Sequence, residues 1–596
     1  MNRTLGPTEL GITDHTGAAV VSPQSSTDRP VARKRAVSGR THLLTVALED
    51  YYHAGPFRRW IPHDTWYRFE ARVAKSTEKT LALLDSHRVQ ATFFVPGYLA
   101  DGMPELVRDI AARGHEIASS GYSHRGVWDM SAEEFRDDVV QAKERLQAAA
   151  GRRVLGFRMP QRWLGPQDLW VLEVLAKAGY LYDSSIRPTL HTFAGRSWED
   201  TLLRLGLSGH PFYEVPVSSV QLCGLRIPVA GGGALRHLPR GWMRRAVSRL
   251  DRHSPTPYVM YFRTWELDPD QPRISIAPFT ARVRQYRNLD RMELLLDGYL
   301  GRYRFTSISE YHRLAMALPE PAQAAAVMSA APEAVTRAPS AVTSGAAPTA
   351  ATIVVPCYNE TQSLPYLRNT LRSVAETYRD AFTFSFVFVD DCSTDGTWDL
   401  LQALFSSDPN CVLVRHAQNQ GIAGTIQTGM EHARTEVVCS IDCDCTYDPH
   451  ELGRMIPLLS DGVDVVTASP YHPAGHVRNV PGWRLFLSKS LSRMYRAVLR
   501  QQLFTYTSCF RVYRRESATA LRVGRTGFLG IAELLARLDL AGCRVVEYPT
   551  TLQSRILGRS KMKVARTIVG HMGLLADLIW LRLIARGGNT PAKASS

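Results

Sequence analysis

Short apolar runs alternate with helical stripes along most of this chain. In the first half "HLLTVAL" (42–48) reads as a strand, "STEKTLALLDSHR" (76–88) as a helix, "VQATFFVPG" (89–97) as a strand and "MPELVRDIAARG" (103–114) as a helix with a glycine stop. In the second half "ATIVVPCYN" (351–359), "FTFSFVFVDD" (382–391) and "EVVCSID" (436–442) read as strands separated by helical patterns. Short apolar strands between helices predict parallel α/β sheets, because a sheet covered by helices on both faces is apolar throughout rather than alternating. Two stretches break the pattern. Residues 1–40 are polar, without periodicity, and read as disordered. Residues 317–350 form an Ala/Pro/Ser/Thr tract and read as a linker. The expected layout is therefore a domain at 41–316, a second at 351–586 and a short tail at 587–596.

Composition narrows the partners. The 596 residues carry 71 Lys and Arg against 56 acids, a formal charge of +15. Such a balance favours anionic ligands such as phosphorylated small molecules or acidic headgroups. The basic residues are spread along the chain, and no nucleic acid is expected. The nine cysteines make no C-x-x-C pair and suit reduced thiols, so a cytoplasmic protein is expected. The N-terminus lacks the apolar core of a signal peptide, and no apolar run is long enough to span a bilayer.

The candidate chemistry sits where strands end. Ligands of parallel α/β sheets bind beyond the carboxyl ends of the strands. There the second half places "PCYNE" (356–360), "VDDCSTDGT" (389–397) and "DCD" (442–444). In an extended segment Asp442 and Asp444 point to one side. Two carboxylates on one face suit Mg²⁺ or Mn²⁺, which would also chelate a diphosphate.

The ordered set "VVPCYNE", "VDDCSTDGT", "QNQGIAGTIQTG", "DCD", "TSCFRVYRR" and "RILGRSKMK" resembles family-2 glycosyltransferases of GT-A fold, closest to the polyprenyl-phosphate sugar synthases, over 351–563. The resemblance implies that Pro356, Tyr358, Glu360 and Asp391 bind the base and ribose of a nucleotide-sugar donor. It implies that Asp442 and Asp444 hold the metal, and that Arg555 and Lys561 face donor and acceptor phosphates. The acceptor would be a polyprenyl phosphate, a glycan or a small molecule. A phosphate acceptor is already ionised and needs no base; an alcohol would need one, for which Glu533 is the candidate. Two positions depart from the family pattern: Cys509 replaces the usual glycine, and Thr505 stands where an acid is usual. The 564–586 stretch reads as an amphipathic helix, either lying on the inner face of a membrane or packing on its own domain.

The first half has a different likeness. "LTVALEDYYH", "GHEIASSGYSHRGVWDM", "GFRMPQRW" and "YFRTWELDPDQPR" resemble the polysaccharide deacetylases of carbohydrate esterase family 4, on a distorted (β/α) barrel, over 43–275. Position by position, the base falls at Ala47, the first metal histidine at Ser120 and the helper histidine at Arg263. Asp50, or Glu49 one residue earlier, and His124 remain as a vestigial metal site, with His53 and His115 as other possible ligands. Zinc is not expected there. The resemblances together imply a metal-dependent inverting glycosyltransferase with a degenerate deacetylase partner. The alternatives are a bifunctional transferase/deacetylase acting on an N-acetylated sugar, and a carbohydrate-binding protein without turnover.

Overall fold

The computed structural model describes residues 39–314 and 347–587, apart from residue 162 and the stretches 187–191, 194–195, 198–202, 208–209, 223–224, 521–523, 526 and 559–563. The expected disordered N-terminus, most of the linker and the tail beyond 587 lie outside these residues. The second domain starts slightly earlier than the composition shift suggested, since its first strand is Thr349–Cys357.

The first domain is built on a nine-stranded sheet. In spatial order the strands are Val259–Arg263, Thr41–Ala47, Thr92–Val95, Glu116–Ser119, Gly156–Phe157, Tyr182–Asp183, His210–Glu214 and Leu203–Leu207, with Arg304–Thr306 added beside the start of Thr41–Ala47. All neighbours pair in parallel except the last two. Among the described residues the two ends of this order do not pair, so the sheet curls into a half-barrel rather than a closed one. Helices Val73–His87, Pro104–Ala112 and Ala132–Ala150 cover it. That cover explains the uninterrupted burial of Leu43, Leu44, Val46 and Phe93 to Val95.

The second domain has a seven-stranded sheet, ordered Cys411–Arg415, Phe382–Asp390, Thr349–Cys357, Val437–Ser440, Arg511–Arg514, Val465–Ser469 and Val545–Pro549. Only Arg511–Arg514 runs antiparallel to its neighbours. This is the GT-A arrangement. Helix Gly421–His432 approaches the central strand closely at Gly429, where an added Cβ would lie 2.2 Å from a methyl of Val354. Any larger residue there would push helix and sheet apart.

Of the two readings of the amphipathic stretch, helix Val564–Gly587 packs one side on its own domain. His571, Leu574, Leu575 and Leu578 are buried in the transferase core, while Val569, Met572, Ile579 and Trp580 are exposed. Among the described residues no helix is long and apolar enough to cross a membrane.

The two domains share an apolar seam. Tyr51, Phe57, Phe69, Trp265 and Ile274 from the first pack with Tyr366, Ile556 and Leu557 from the second in one buried cluster. Around it Arg68 pairs with Asp448 at 2.8 Å, and Asn369 donates to the carbonyls of Arg68 and Phe69.

Candidate active site

The strand ends of the second domain open into a cavity of about 850 Å³. Pro356, Tyr358, Glu360, Asp391, Asp442, Asp444 and Arg555 all line it. Seven of the nine transferase residues singled out by sequence therefore meet in one place, although they span 200 positions of the chain.

Strand Thr349–Cys357 delivers Pro356, and the turn after it delivers Tyr358 and Glu360. The Glu360 carboxylate accepts from the Ser363 hydroxyl, and its amide donates to Thr397, which ties this turn to the neighbouring one. Asp391 follows strand Phe382–Asp390. Its oxygens accept from the Gln420 and Gly421 amides at 2.7 and 2.8 Å, with His416 Nδ1 2.9 Å away. Asp391 thus fixes the turn that starts helix Gly421–His432 while lining the cavity wall.

The acid pair lies on the turn after strand Val437–Ser440. Asp444 accepts from the Thr446 amide and, at 2.6 Å, from Arg555 Nε. Arg555 also bridges to Glu360. Asp442 receives the Cys509 thiol and the Thr446 hydroxyl. Burial, with the Asp444 charge added, pushes the Asp442 carboxyl up to about 7. A carboxylate raised in this way is one that a cation would stabilise. Cys509, found where the family usually has glycine, is the thiol that caps it.

The next two acids of the same stretch do other work. Asp448 caps the turn at His450 and meets Arg68 of the first domain, and Glu451 accepts from Thr550. Lys561 lies outside the described residues. Glu533 does not reach the cavity lining: it is buried, accepts from the Arg525 amide at 2.9 Å and pairs with Arg537 at 2.7 Å. Its place is that of a loop anchor, which sequence could not distinguish from a base because both uses put a glutamate on a buried helix face.

Sequence reading missed the far wall of the cavity. Tyr471, Trp483, Leu487, Met494, Phe528 and Met572 extend the acid pocket into an apolar channel. Trp483 and Met494 stand on helix Gly482–Val498, and Met572 on helix Val564–Gly587. Phe486, next to Leu487 in sequence, and Val569 and Trp580, on the helix that carries Met572, are exposed. No motif marks these residues. An exposed aromatic at helical spacing was the available signal, and it does not say which site it serves.

In the first domain Glu49, not Asp50, is the carboxylate facing His124, with Oε1 and Nε2 3.7 Å apart. Asp50 caps a turn instead, accepting from the amides of Tyr51, Arg72 and Val73, so its lone pairs are spent on backbone. The other side of Glu49 is held by Arg263 Nε at 2.9 Å. A guanidinium therefore supplies positive charge where the deacetylase pattern has its helper histidine. His53 accepts from the Asp50 amide and His115 from the Ala91 amide. Burial holds His124 at about 3 and His53 well below its ordinary value, so both rings are neutral. Across both domains, no described group of three or more His, Cys, Asp or Glu side chains is placed to hold a metal ion by itself.

Comparison with known proteins agrees with this division. Residues 352–522 match glycosyl transferase family 2, residues 63–182 match polysaccharide deacetylase, and residues 184–313 match a domain of unknown function, DUF3473. Polyprenol monophosphomannose synthase of Mycolicibacterium smegmatis is 33% identical over 217 residues, covering 35% of this chain and 80% of that protein. Undecaprenyl-phosphate mannosyltransferase of Micrococcus luteus is 30% identical over 248 residues, 39% of this chain and 98% of that one. A mannosyltransferase from Pyrobaculum calidifontis, solved with GDP-Man and Mn²⁺, is 20% identical over 39% of this chain and 65% of its own, with a TM-score of 0.30. The chain belongs to the family-2 glycosyltransferases and carries a polysaccharide-deacetylase domain in front of the transferase.

Proposed function

We propose that this enzyme transfers a sugar, mannose being the first to test, from a nucleoside diphosphate to a polyprenyl phosphate at a membrane surface. The observation that carries the reading is the cavity's two-ended character: an acid and arginine end continuous with an apolar stretch lined by Tyr471, Trp483, Leu487, Met494, Phe528 and Met572. An ionic end suits a diphosphate and an acceptor phosphate, and an apolar channel suits a prenyl chain. A glycan acceptor would leave that channel without a use. The mannosyl donor is suggested by the polyprenyl-phosphate mannosyltransferases among the relatives.

The acid pair fits a hard divalent cation, because two carboxylates on one turn supply part of a shell that diphosphate oxygens complete. Asp442 and Asp444 would hold it, and it would supply charge neutralisation to the leaving diphosphate. The protein's own groups do the rest. Pro356, Tyr358 and Asp391 orient the nucleoside end. Arg555, released from Asp444 and Glu360, offers its fork of donors to phosphate oxygens. An acceptor phosphate oxygen attacks the anomeric carbon as the bond to the diphosphate breaks, inverting the centre. No proton has to be removed, which agrees with the absence of Glu533 from the cavity.

The test is turnover of GDP-mannose with a short polyprenyl phosphate and Mn²⁺, followed by release of nucleoside diphosphate and a lipid-phase product. Transfer to the lipid phosphate supports the reading. Transfer only to sugars, or no transfer with a panel of nucleotide sugars, refutes it.

A further inference from the structure

Arg555 enters the cavity from a segment that both domains hold. On the near side, Gln553 donates to the Thr446 carbonyl at 2.9 Å, and Ser554 donates to the Arg478 carbonyl. On the far side the first domain adds backbone contacts of its own. The Ser275 amide donates to the Ile556 carbonyl at 2.7 Å. The Ser275 hydroxyl lies 3.2 and 3.1 Å from the carbonyls of Arg555 and Ile556. Ile274 and Leu557 form an antiparallel bridge. The side chains of Ile556 and Leu557 are buried in a cluster formed mainly by the first domain, with Tyr51, Phe57, Trp265 and Ala277, and by Tyr366 of their own domain. The guanidinium then projects from this two-sided grip onto Asp444 and Glu360.

The same domain also braces the acid turn. Arg68 grips Asp448, four residues past Asp444. Both walls of the ionic end of the cavity are therefore tied to one foreign surface. That surface lies next to the former deacetylase site, in which Trp265 follows Arg263 closely in sequence.

We propose that the deacetylase-like domain is a template for transfer: residues 274–275 position Arg555 in the transferase site, so the domain is retained for this contact and not for ester or amide hydrolysis. A charge-assisted contact to a phosphate is useful only if it is in place before the reaction, since misplacement by about 1 Å can cost about 100-fold in rate. Ser275 and Ile274 touch no substrate in this scheme. They act through the backbone of Arg555 and the two residues after it.

This inference rests on the proposed transfer reaction, and its test separates the two. In the full chain, Ser275→Pro removes the amide donor to Ile556, and Ile274→Ala is the milder variant should the first fail to fold. With GDP-mannose and polyprenyl phosphate, each variant is expected to lose about 10-fold in kcat while KM for the donor changes less than about 2-fold. Combined with Arg555→Ala, each is expected to add no further loss. Additive losses in the double variants would overturn the proposal, because a general weakening of the fold does not depend on Arg555. If the wild type turns over no donor, the transfer reading fails and the grip is judged by amide hydrogen exchange. Faster exchange of the Ser275 amide in Ile274→Ala then supports it, and unchanged exchange overturns it.

Discussion

Replacing Arg555 with alanine should change two measurements in opposite directions. Arg555 Nε sits 2.6 Å from Asp444, and the other arm of the fork reaches Glu360. A cation entering at Asp442 and Asp444 has to displace that contact. A hydrogen bond to a charged group is worth about 1.5–3 kcal/mol net, and tenfold in affinity corresponds to about 1.4 kcal/mol. Arg555→Ala should therefore tighten Mn²⁺ binding to the ligand-free protein by about 10-fold, read by calorimetric titration. Transfer should fall, because a preorganised donor to developing charge is worth about 100–1,000-fold in kcat. Competition explains the first effect and transition-state stabilisation the second, and only an arginine that switches partners gives both. Unchanged or weaker Mn²⁺ binding, together with turnover within about threefold of wild type, would refute the reasoning.

Asp442→Asn and Asp444→Asn should each abolish transfer at wild-type thermal stability; undiminished turnover in both would remove the metal role. Trp580→Glu with Val569→Glu puts charge on the exposed face of the last helix and should cut co-flotation with anionic vesicles several-fold, while turnover of a detergent-soluble acceptor is kept. His124 is held neutral by burial at about 3, against about 6.5 in an unfolded chain. Between those values the unfolded chain binds the extra proton, so the stability contributed by the neutral ring is lost as pH falls through that window. The stability gap between wild type and His124→Asn should accordingly shift against the wild type by up to about 1.4 kcal/mol per pH unit below 6.5, measured by denaturant titration. A pH-independent gap would show the ring to be solvated.

Much of the acid end of the cavity was legible in the sequence because its residues stand at the ends of apolar strands. Strand ends in a parallel sheet converge whatever the intervening helices are. That rule brings the acidic segments 389–397 and 442–444 together, and the part Asp391 plays among them is what the family resemblance implies. Reading failed where one residue type serves two purposes. A capping carboxylate and a ligand carboxylate are the same side chain, and Asp50 and Glu49 are neighbours. Only the backbone amides of Arg72 and Val73, brought from more than 20 residues away, decide that Asp50 is the cap. Glu533 is ambiguous in the same way until Arg537 and the Arg525 amide are seen to occupy it.

By itself, then, the sequence determined two α/β domains and the acid pair. These are statements about residue type and local periodicity, which hydrophobic patterning and motif spacing encode directly. The tertiary structure decided the apolar channel, the thiol on Asp442 and the grip of Ser275 on the Arg555 segment. Each of those joins parts of the chain 60 or more residues apart. Such contacts depend on how helices and domains pack, and packing is selected by shape and buried area summed over many weak contacts, which no short stretch of sequence displays.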